Sequence, residues 1–247
     1  KPVLDALNHL LTRLDEGLER ERRFLADAAH ELRTPLTVLK LQLQVAQNAP
    51  DIQKMQQGID KALIGVNRSA HTVEQLLTLA RLEPNKYALE REQIELVGFT
   101  QEVIAGLFPL ASEKEQSLAL NQSHQNIVLE GNRLLLTILL RNLIENAIKY
   151  SPQHADINVM LMLLNQQVQI HIADTGCGVP EADIPRLMQR FYRHQDTADS
   201  RGTGLGLSIV QKILELHDGQ ISIKNRAQGG LIVEITLPVT SFNKQDT

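Results

Sequence analysis

A histidine followed at once by a glutamate, His30-Glu31, sits within otherwise regular helical patterning. Apolar residues recur at Leu25, Ala28, Leu32, Leu36, Leu39, Leu43 and Ala46, steps of three or four that mark one buried helix face. With Leu25 at heptad position a and Ala28 at d, His30 falls at f and points away from the seam. An imidazole kept for packing would lie in the stripe; this one is held out to solvent beside a carboxylate, where it can meet a large reactant. The pair is not a zinc-protease motif, because the position that needs a second histidine holds Thr34.

Three further groups break the core pattern in the second half. Asn142, Asn146 and Lys149-Tyr150 form a polar stripe on a helix whose other side is Leu136, Leu139, Leu140, Leu143 and Ala147. Asparagine is a poor mid-helix residue, so two on one face suggest amides that coordinate something. An amide oxygen suits Mg2+, and Lys149 one turn on could neutralise phosphate. A merely solvated face would read the same way. Asp174 continues the inward-facing register of Val168, Ile170 and Ile172, so a carboxylate is carried to the core side of a strand end and should have a hydrogen-bonding partner such as a ring amine. It opens residues 174–180, whose Gly176 and Gly178 would let backbone approach a ligand, although an ordinary strand-to-loop turn would also use them. Last, Gly202, Thr203, Gly204, Leu205 and Gly206 open a helix, and glycines at a helix N-terminus expose amides to an anion. The segment fits neither a dinucleotide fingerprint nor a Walker loop.

The elements that must position these groups fall into two halves. Leu4, Leu7, Leu11, Leu14 and Leu18 follow a three-four coiled-coil spacing, and Pro35 should kink the helix just after the histidine. A second stripe runs Met55, Ile59, Ala62, Val66, Ser69, Val73, Leu76, Ala80, and the turn at 48–51 predicts an antiparallel helical hairpin. Two helices alone bury little, so a homodimeric four-helix bundle is expected. Residues 84–93 read as a polar linker. Beyond it, 97–111 and 132–150 look helical, while 157–163, 168–172 and 231–237 alternate as half-buried strands. The expected fold class is α plus α/β: a helical hairpin, then an α/β sandwich with helices on one face of a mixed sheet.

The composition is that of a globular protein, 43% hydrophobic and 22% charged, and the net charge of −4 argues against bulk nucleic-acid binding. One cysteine, Cys177, excludes an internal disulfide and fits a reducing compartment. No run approaches the ~20 apolar residues of a membrane span. The first residue is Lys1 and no signal peptide opens the chain, so a fragment is expected.

In this order the pieces resemble the cytoplasmic core of a bacterial two-component sensor histidine kinase. Residues 24–37 resemble the H box, 142–151 the N box, 174–180 the first glycine box, 190–193 the F box and 202–207 the second glycine box. The wording of residues 20–30 is most similar to the PmrB/QseC group. The resemblance implies a HAMP-like signalling helix over 1–18, a dimerisation and histidine-phosphotransfer domain over 19–83, a catalytic ATP-binding domain of the GHKL (Bergerat) type over 94–240, and a tail at 241–247. It implies ATP and Mg2+ as cofactors, a homodimer, a response-regulator receiver domain as partner, and a soluble cytoplasmic portion of an inner-membrane protein whose membrane contact lies in N-terminal segments absent here.

The resemblance also assigns roles. His30 would be the phosphoacceptor and Glu31 would take or orient the proton on its other nitrogen. Thr34, in the pattern His30-Glu31-Leu32-Arg33-Thr34, would position water for dephosphorylation of the partner regulator. Asn142 and Asn146 would hold Mg2+, with Lys149 and Arg193 offsetting phosphate charge. Tyr150 would pack near adenine and Asp174 would accept from its exocyclic amine. Residues 186–207 would form a lid, with Gly202, Gly204 and Gly206 as hinges and phosphate contacts. Two features depart from the pattern: a glycine-rich segment before the last strand reduced to Gly229-Gly230, and a short lid between Arg193 and Gly202. The rival readings are an ATP-binding scaffold without transfer, a gyrase- or chaperone-type ATPase, which would lack the helical hairpin, and a purely structural coiled coil, which would leave the second domain unexplained.

Overall fold

In the computed structural model the leucine-rich first third is two helices, α1 (Pro2–Gln47) and α2 (Ile52–Arg81). The structure describes residues 2–82, 90–124, 126–164, 167–193 and 203–239. Most of the expected linker, the lid between 194 and 202 with Gly202, the tail at 241–247 and the side chain of Glu31 lie outside what is described. The chain divides into two units, Lys1–Thr78 and Leu79–Thr247.

Helix α1 is continuous across residues 18 and 19 and through Pro35. Proline withdraws one backbone donor, and nearby hydroxyls turn onto the helix: Thr37 Oγ1 donates to the Arg33 carbonyl at 2.8 Å and Thr34 Oγ1, over a long 3.5 Å, to that of His30. Asp51 caps α2 by accepting from Lys54 N at 2.8 Å. The expected antiparallel hairpin is present. A Cβ on Gly58 would sit 2.7 Å from Ala46 Cβ, and Gly65 lies beside Leu39 and Gln42.

The packing seam differs from the expected stripes. On α1 it runs Ala28, Leu32, Pro35, Leu39, Gln42, Ala46, while Leu36 and Leu43 are about half exposed, at 53% and 50%. On α2 the inner face is mostly small, with Gly58, Ala62, Gly65, Ser69, Thr72 and Leu76 covered; Met55, Ile59, Val66 and Val73 lie outside it and Ala80 is exposed. Small residues let the two backbones approach. The apolar stripe is wider than one neighbouring helix can cover, so much of it remains on a second face.

After the last turn of α2 the second unit has strand β1 (Glu92–Glu95), which straddles the end of the stretch expected as linker, and helix α3 (Leu96–Ser112). Then follow β2 (Ser117–Gln122), β3 (Val128–Gly131), α4 (Arg133–Tyr150), β4 (Asp156–Leu164) and β5 (Gln167–Ala173). A short 3-10 helix (Glu181–Arg186), α5 (Gly206–Leu216), β6 (Gln220–Asn225) and β7 (Leu231–Pro238) complete it. Strands β1 and β3 pair with each other, and the main sheet has the order β2-β4-β5-β7-β6, with β2 parallel to β4 and the other pairs antiparallel. Ile157, Val159 and Leu161 of β4 and Val168, Ile170 and Ile172 of β5 are buried. The intervening positions are not, so the sheet has one covered face. Leu139, Leu140, Leu143 and Ile144 of α4 and Ile209 and Ile213 of α5 supply the helical layer. This is the α/β sandwich that the alternation implied.

Candidate functional site

His30 and Thr34 lie one helical turn apart on α1, both exposed, whereas Ala28 and Leu32 are partly covered by the hairpin. The imidazole is therefore presented to solvent on a rigid helix, as its heptad position implied.

In the second unit, α4 carries the polar stripe. Asn142, Asn146 and Lys149 are half-buried and Tyr150 is 40% exposed. Asn142 Nδ2 donates to the Ile138 carbonyl at 2.8 Å, which turns its Oδ1 toward the first turn of α5, where a Cβ on Gly206 would meet it at 2.8 Å. Lys149 Nζ donates to the Tyr150 hydroxyl at 2.9 Å and lies 4.4 Å from that ring's centre, so the two side chains hold each other at the helix end.

That helix end is tied down by residues the sequence reading missed. Lys114 Nζ donates to the carbonyls of Ile148, Lys149 and Ser151 at 2.9, 2.9 and 3.2 Å. Gln116 Nε2 donates to Ile148, Ser151 and Pro152 at 3.0, 3.1 and 2.9 Å. Together they cap the orphan carbonyls of α4 and place a cation at its negative end. Burial, then the nearby Lys149, push the Lys114 ammonium below its ordinary pKa.

Asp174 is only 8% exposed, as its inward register required. Its Oδ1 accepts from Gly176 N at 2.8 Å and Leu231 N at 3.2 Å, while the Arg226 guanidinium donates to its main-chain carbonyl. Burial raises the carboxyl pKa, and the two amides and Arg226 oppose that rise. The expected partner is thus backbone at one oxygen, and the fixed carboxylate offers its other oxygen as an acceptor. Gly176 is forced by protein rather than ligand: a Cβ there would lie 2.8 Å from both Asp174 Oδ1 and the Tyr150 carbonyl.

Residues near the two ends of the segment expected as a lid meet. Phe191, at φ 63°, donates its N–H to the Gly204 carbonyl at 3.0 Å, and Gly204, at φ 71°, has no room for a Cβ against the Phe191 backbone. Arg186 stacks 4.3 Å from the Tyr192 ring centre, and a hydrogen bond to Asp183 helps raise the Tyr192 hydroxyl pKa. Thr203 Oγ1 accepts from Leu205 N at 3.2 Å, and Leu205 is fully buried, so its side chain anchors the start of α5. Arg193 is exposed.

His217, also unforeseen, joins the two helices of the site. Its Nδ1–H donates to the Ile213 carbonyl at 2.8 Å, so the neutral Nε2 accepts from Asn132 N at 3.0 Å, just before α4. Burial, then the Ile213 bond acting the other way and Arg91, leave its pKa below the ordinary value. The unfolded chain then binds the extra proton more readily, and stability present above about pH 6.5 is lost as pH falls. Urea unfolding between pH 7.5 and 5 should show that loss, and His217→Gln should flatten it. An unchanged slope in the variant would remove His217 as its source.

An exposed histidine on a helical hairpin, followed by an α/β sandwich with an Asn-Lys helix, a buried aspartate and a glycine-opened helix, defines a histidine kinase core. A model of the His Kinase A (phospho-acceptor) domain matches residues 20–85, and one of the histidine kinase-, DNA gyrase B-, and HSP90-like ATPase matches residues 131–241. The chain belongs to the sensor histidine kinases. It is 38% identical over 240 residues to sensor protein QseC of Escherichia coli, covering 96% of this chain and 52% of that protein. It is 35% identical over 239 residues to sensor protein kinase PmrB of Pseudomonas aeruginosa, covering 96% and 50%. These relatives fit the similarity read from residues 20–30. The chain spans about half the length of the curated relatives it matches. Among solved structures, histidine kinase ThkA in complex with response regulator protein TrrA shares the fold, with a TM-score of 0.72 at 22% identity over 87% of this chain and 60% of that one.

Proposed function

We propose that this chain binds ATP with Mg2+, phosphorylates its own His30 and passes the phosphoryl group to an aspartate of a response-regulator receiver domain. The observation that carries the reading is the solvent-facing His30 in one chain with the fixed Asp174 carboxylate and the Asn-Lys face of α4. A ring nitrogen of His30 attacks the γ-phosphorus; the N–P bond forms as the bond to the β,γ-bridging oxygen breaks and ADP leaves. Glu31 takes or orients the proton on the other ring nitrogen, and Lys149 and Arg193 offset charge on the phosphates. Asp174 accepts from the adenine amine and Tyr150 packs near the ring. The hard amide oxygens of Asn142 and Asn146 fit Mg2+, and the bond from Asn142 Nδ2 to Ile138 turns its Oδ1 toward the first turn of α5. When bound, the ion supplies charge neutralisation at the β- and γ-phosphates.

Incubation with Mg2+ and γ-labelled ATP tests this. Acid-labile, base-stable label that disappears in His30→Ala supports the kinase. Label-free protein that binds ATP indicates a scaffold, and phosphate released to water without label indicates a simple ATPase.

The exposed second face of the hairpin, with Leu36, Leu43, Met55, Ile59, Val66 and Val73 at 39–53%, supports a homodimeric four-helix bundle. Light scattering of the purified chain should give twice the chain mass; a monomer at micromolar concentration removes the bundle. No helix among the described residues is long and apolar enough to cross a membrane. The similarity to sensor protein QseC and sensor protein kinase PmrB supports reading this chain as the cytoplasmic portion of a membrane protein.

Phosphatase activity toward the phosphorylated regulator is part of the same reading. The Thr34 hydroxyl hydrogen points back to the His30 carbonyl, leaving the oxygen's lone pairs to orient a water. Thr34→Ala should keep autophosphorylation within about twofold and slow regulator dephosphorylation by roughly tenfold or more. Equal loss of both activities would sink that role.

A further inference from the structure

We propose that Asn225, the last residue of β6, is a positioning residue for nucleotide binding, acting as a clamp on the loop at 177–181. The proposal rests on the reading that residues 174–180 hold the nucleotide.

The amide of Asn225 behaves like one extra residue of sheet pairing. Its Oδ1 accepts from Val179 N at 3.0 Å and its Nδ2 donates to the Val179 carbonyl at 2.7 Å. The second Nδ2 hydrogen goes to Glu181 Oε1 at 2.8 Å, at the start of the 3-10 helix. Asparagine at a strand end ordinarily bonds its own turn, within about three residues. Here every side-chain bond reaches 44 or 46 residues back along the chain. Pro180 has no N–H, so the loop has few backbone donors of its own at this point, and a side chain on the edge strand supplies the pairing instead.

Gly178 records the same contact. It sits at φ 71°, and a Cβ would lie 2.7 Å from Asn225 Oδ1. Both the positive φ and the clamp's oxygen therefore call for glycine here. The segment is thus held at both ends from β6 and β7: at Asp174 by the amide of Leu231, and at Val179 by Asn225. With the clamp in place the loop is ordered before nucleotide arrives. Without it, that ordering must accompany binding, which weakens affinity but leaves the phosphates, held from α4 and α5, to react as before.

The test measures KM for ATP and kcat of His30 labelling, with affinity for a fluorescent ATP analogue, on the 247-residue chain. Asn225→Ala should raise KM and the analogue Kd about tenfold, with kcat at saturating ATP within about twofold. Glu181→Ala, which removes one bond, should raise KM about threefold. Gly178→Ala should be less harmful in the Asn225→Ala background than in the parent, because its clash partner is gone. A merely structural Asn225 would lower kcat along with affinity, and that result, or fully multiplicative effects with Gly178→Ala, overturns the proposal. Asp174→Asn separates the two claims. If it abolishes nucleotide binding while Asn225→Ala does not change KM, the clamp is wrong and the site stands. If Asp174→Asn binds as the parent does, the nucleotide site is wrong and the clamp falls with it. Should Asn225→Ala fail to fold, Glu181→Ala decides, an unchanged KM overturning the clamp.

Discussion

Gly230→Ala is expected to destabilise the second unit by more than ~3 kcal/mol and to abolish tight nucleotide binding. Gly230 sits at φ 86°, a conformation that costs an alanine ~1–2 kcal/mol by itself. The larger penalty is steric. A Cβ there would overlap the Asp174 carbonyl oxygen and lie 2.7 Å from its carbonyl carbon and 2.8 Å from Oδ1. None of these atoms is the end of a flexible chain: two are backbone, and the third is a carboxylate oxygen already held by two amides. Relief requires β7 to part from the end of β5. That breaks the paired bonds between Asp174 N and the Leu231 carbonyl, 3.0 Å, and between Leu231 N and Asp174 Oδ1, 3.2 Å. Gly229 is the internal control. Its φ of 92° carries the same conformational cost, but a Cβ would meet only the Gly176 carbonyl, at 3.7 Å. Gly229→Ala should therefore lose only ~1–2 kcal/mol and keep its nucleotide affinity. Urea midpoints and ATP-analogue titrations on both variants check this, and equal damage at the two positions would defeat it.

The same pair of glycines shows what the sequence disclosed and what it withheld. Gly229-Gly230 stood out as the remnant of a longer glycine segment, but only the fold reveals that the second of them is packed on Asp174. Strands β4, β5 and β7 were legible because they are central and one-sided, so alternation survives in their residues. Strands β2 and β6 are the edges of the sheet, with β2 exposed at both of its ends, and need fewer apolar side chains. Strands β1 and β3, four residues each, are too short to show a period. In the hairpin, the expected stripe caught Ala62, Ser69 and Leu76 of the α2 contact seam but also took in the exposed Met55, Ile59 and Val66, and it passed over Gly58 and Gly65, which no apolar pattern marks. Of the site, Asp174 was readable because a carboxylate in a core register is anomalous by itself. Lys114, His217, Asn225 and Arg226 were not. Each bonds a residue 34 to 85 positions away, and such pairings are set by sheet register and helix packing rather than by local spacing.

Asp174→Asn should leave the fold intact, or slightly more stable near neutral pH, while weakening ATP binding by about a hundredfold. The asparagine oxygen can take the place of Oδ1 and go on accepting from Gly176 N and Leu231 N. Its amide nitrogen must then occupy the other corner, replacing an acceptor by a donor. An adenine amine meeting that corner faces donor against donor, and both groups are stripped of water without a bond in return. Stability moves the other way for an electrostatic reason. Burial raises the pKa of this carboxyl in the folded protein, so the folded state holds a proton more readily than the unfolded chain does. The charged form is therefore disfavoured by folding, a penalty that sets in as pH rises past the ordinary aspartate value and is complete above the raised one. A neutral amide removes it. The parent should lose ATP affinity on acidification at a higher pH than an ordinary aspartate would dictate, as the acceptor oxygen gains its proton. Analogue titrations from pH 4.5 to 8, beside urea unfolding of the parent and Asp174→Asn at pH 7.5, measure both effects. A variant that binds ATP normally would show that the carboxylate is not the base acceptor, and one that unfolds more easily would show that its two backbone bonds need the charge.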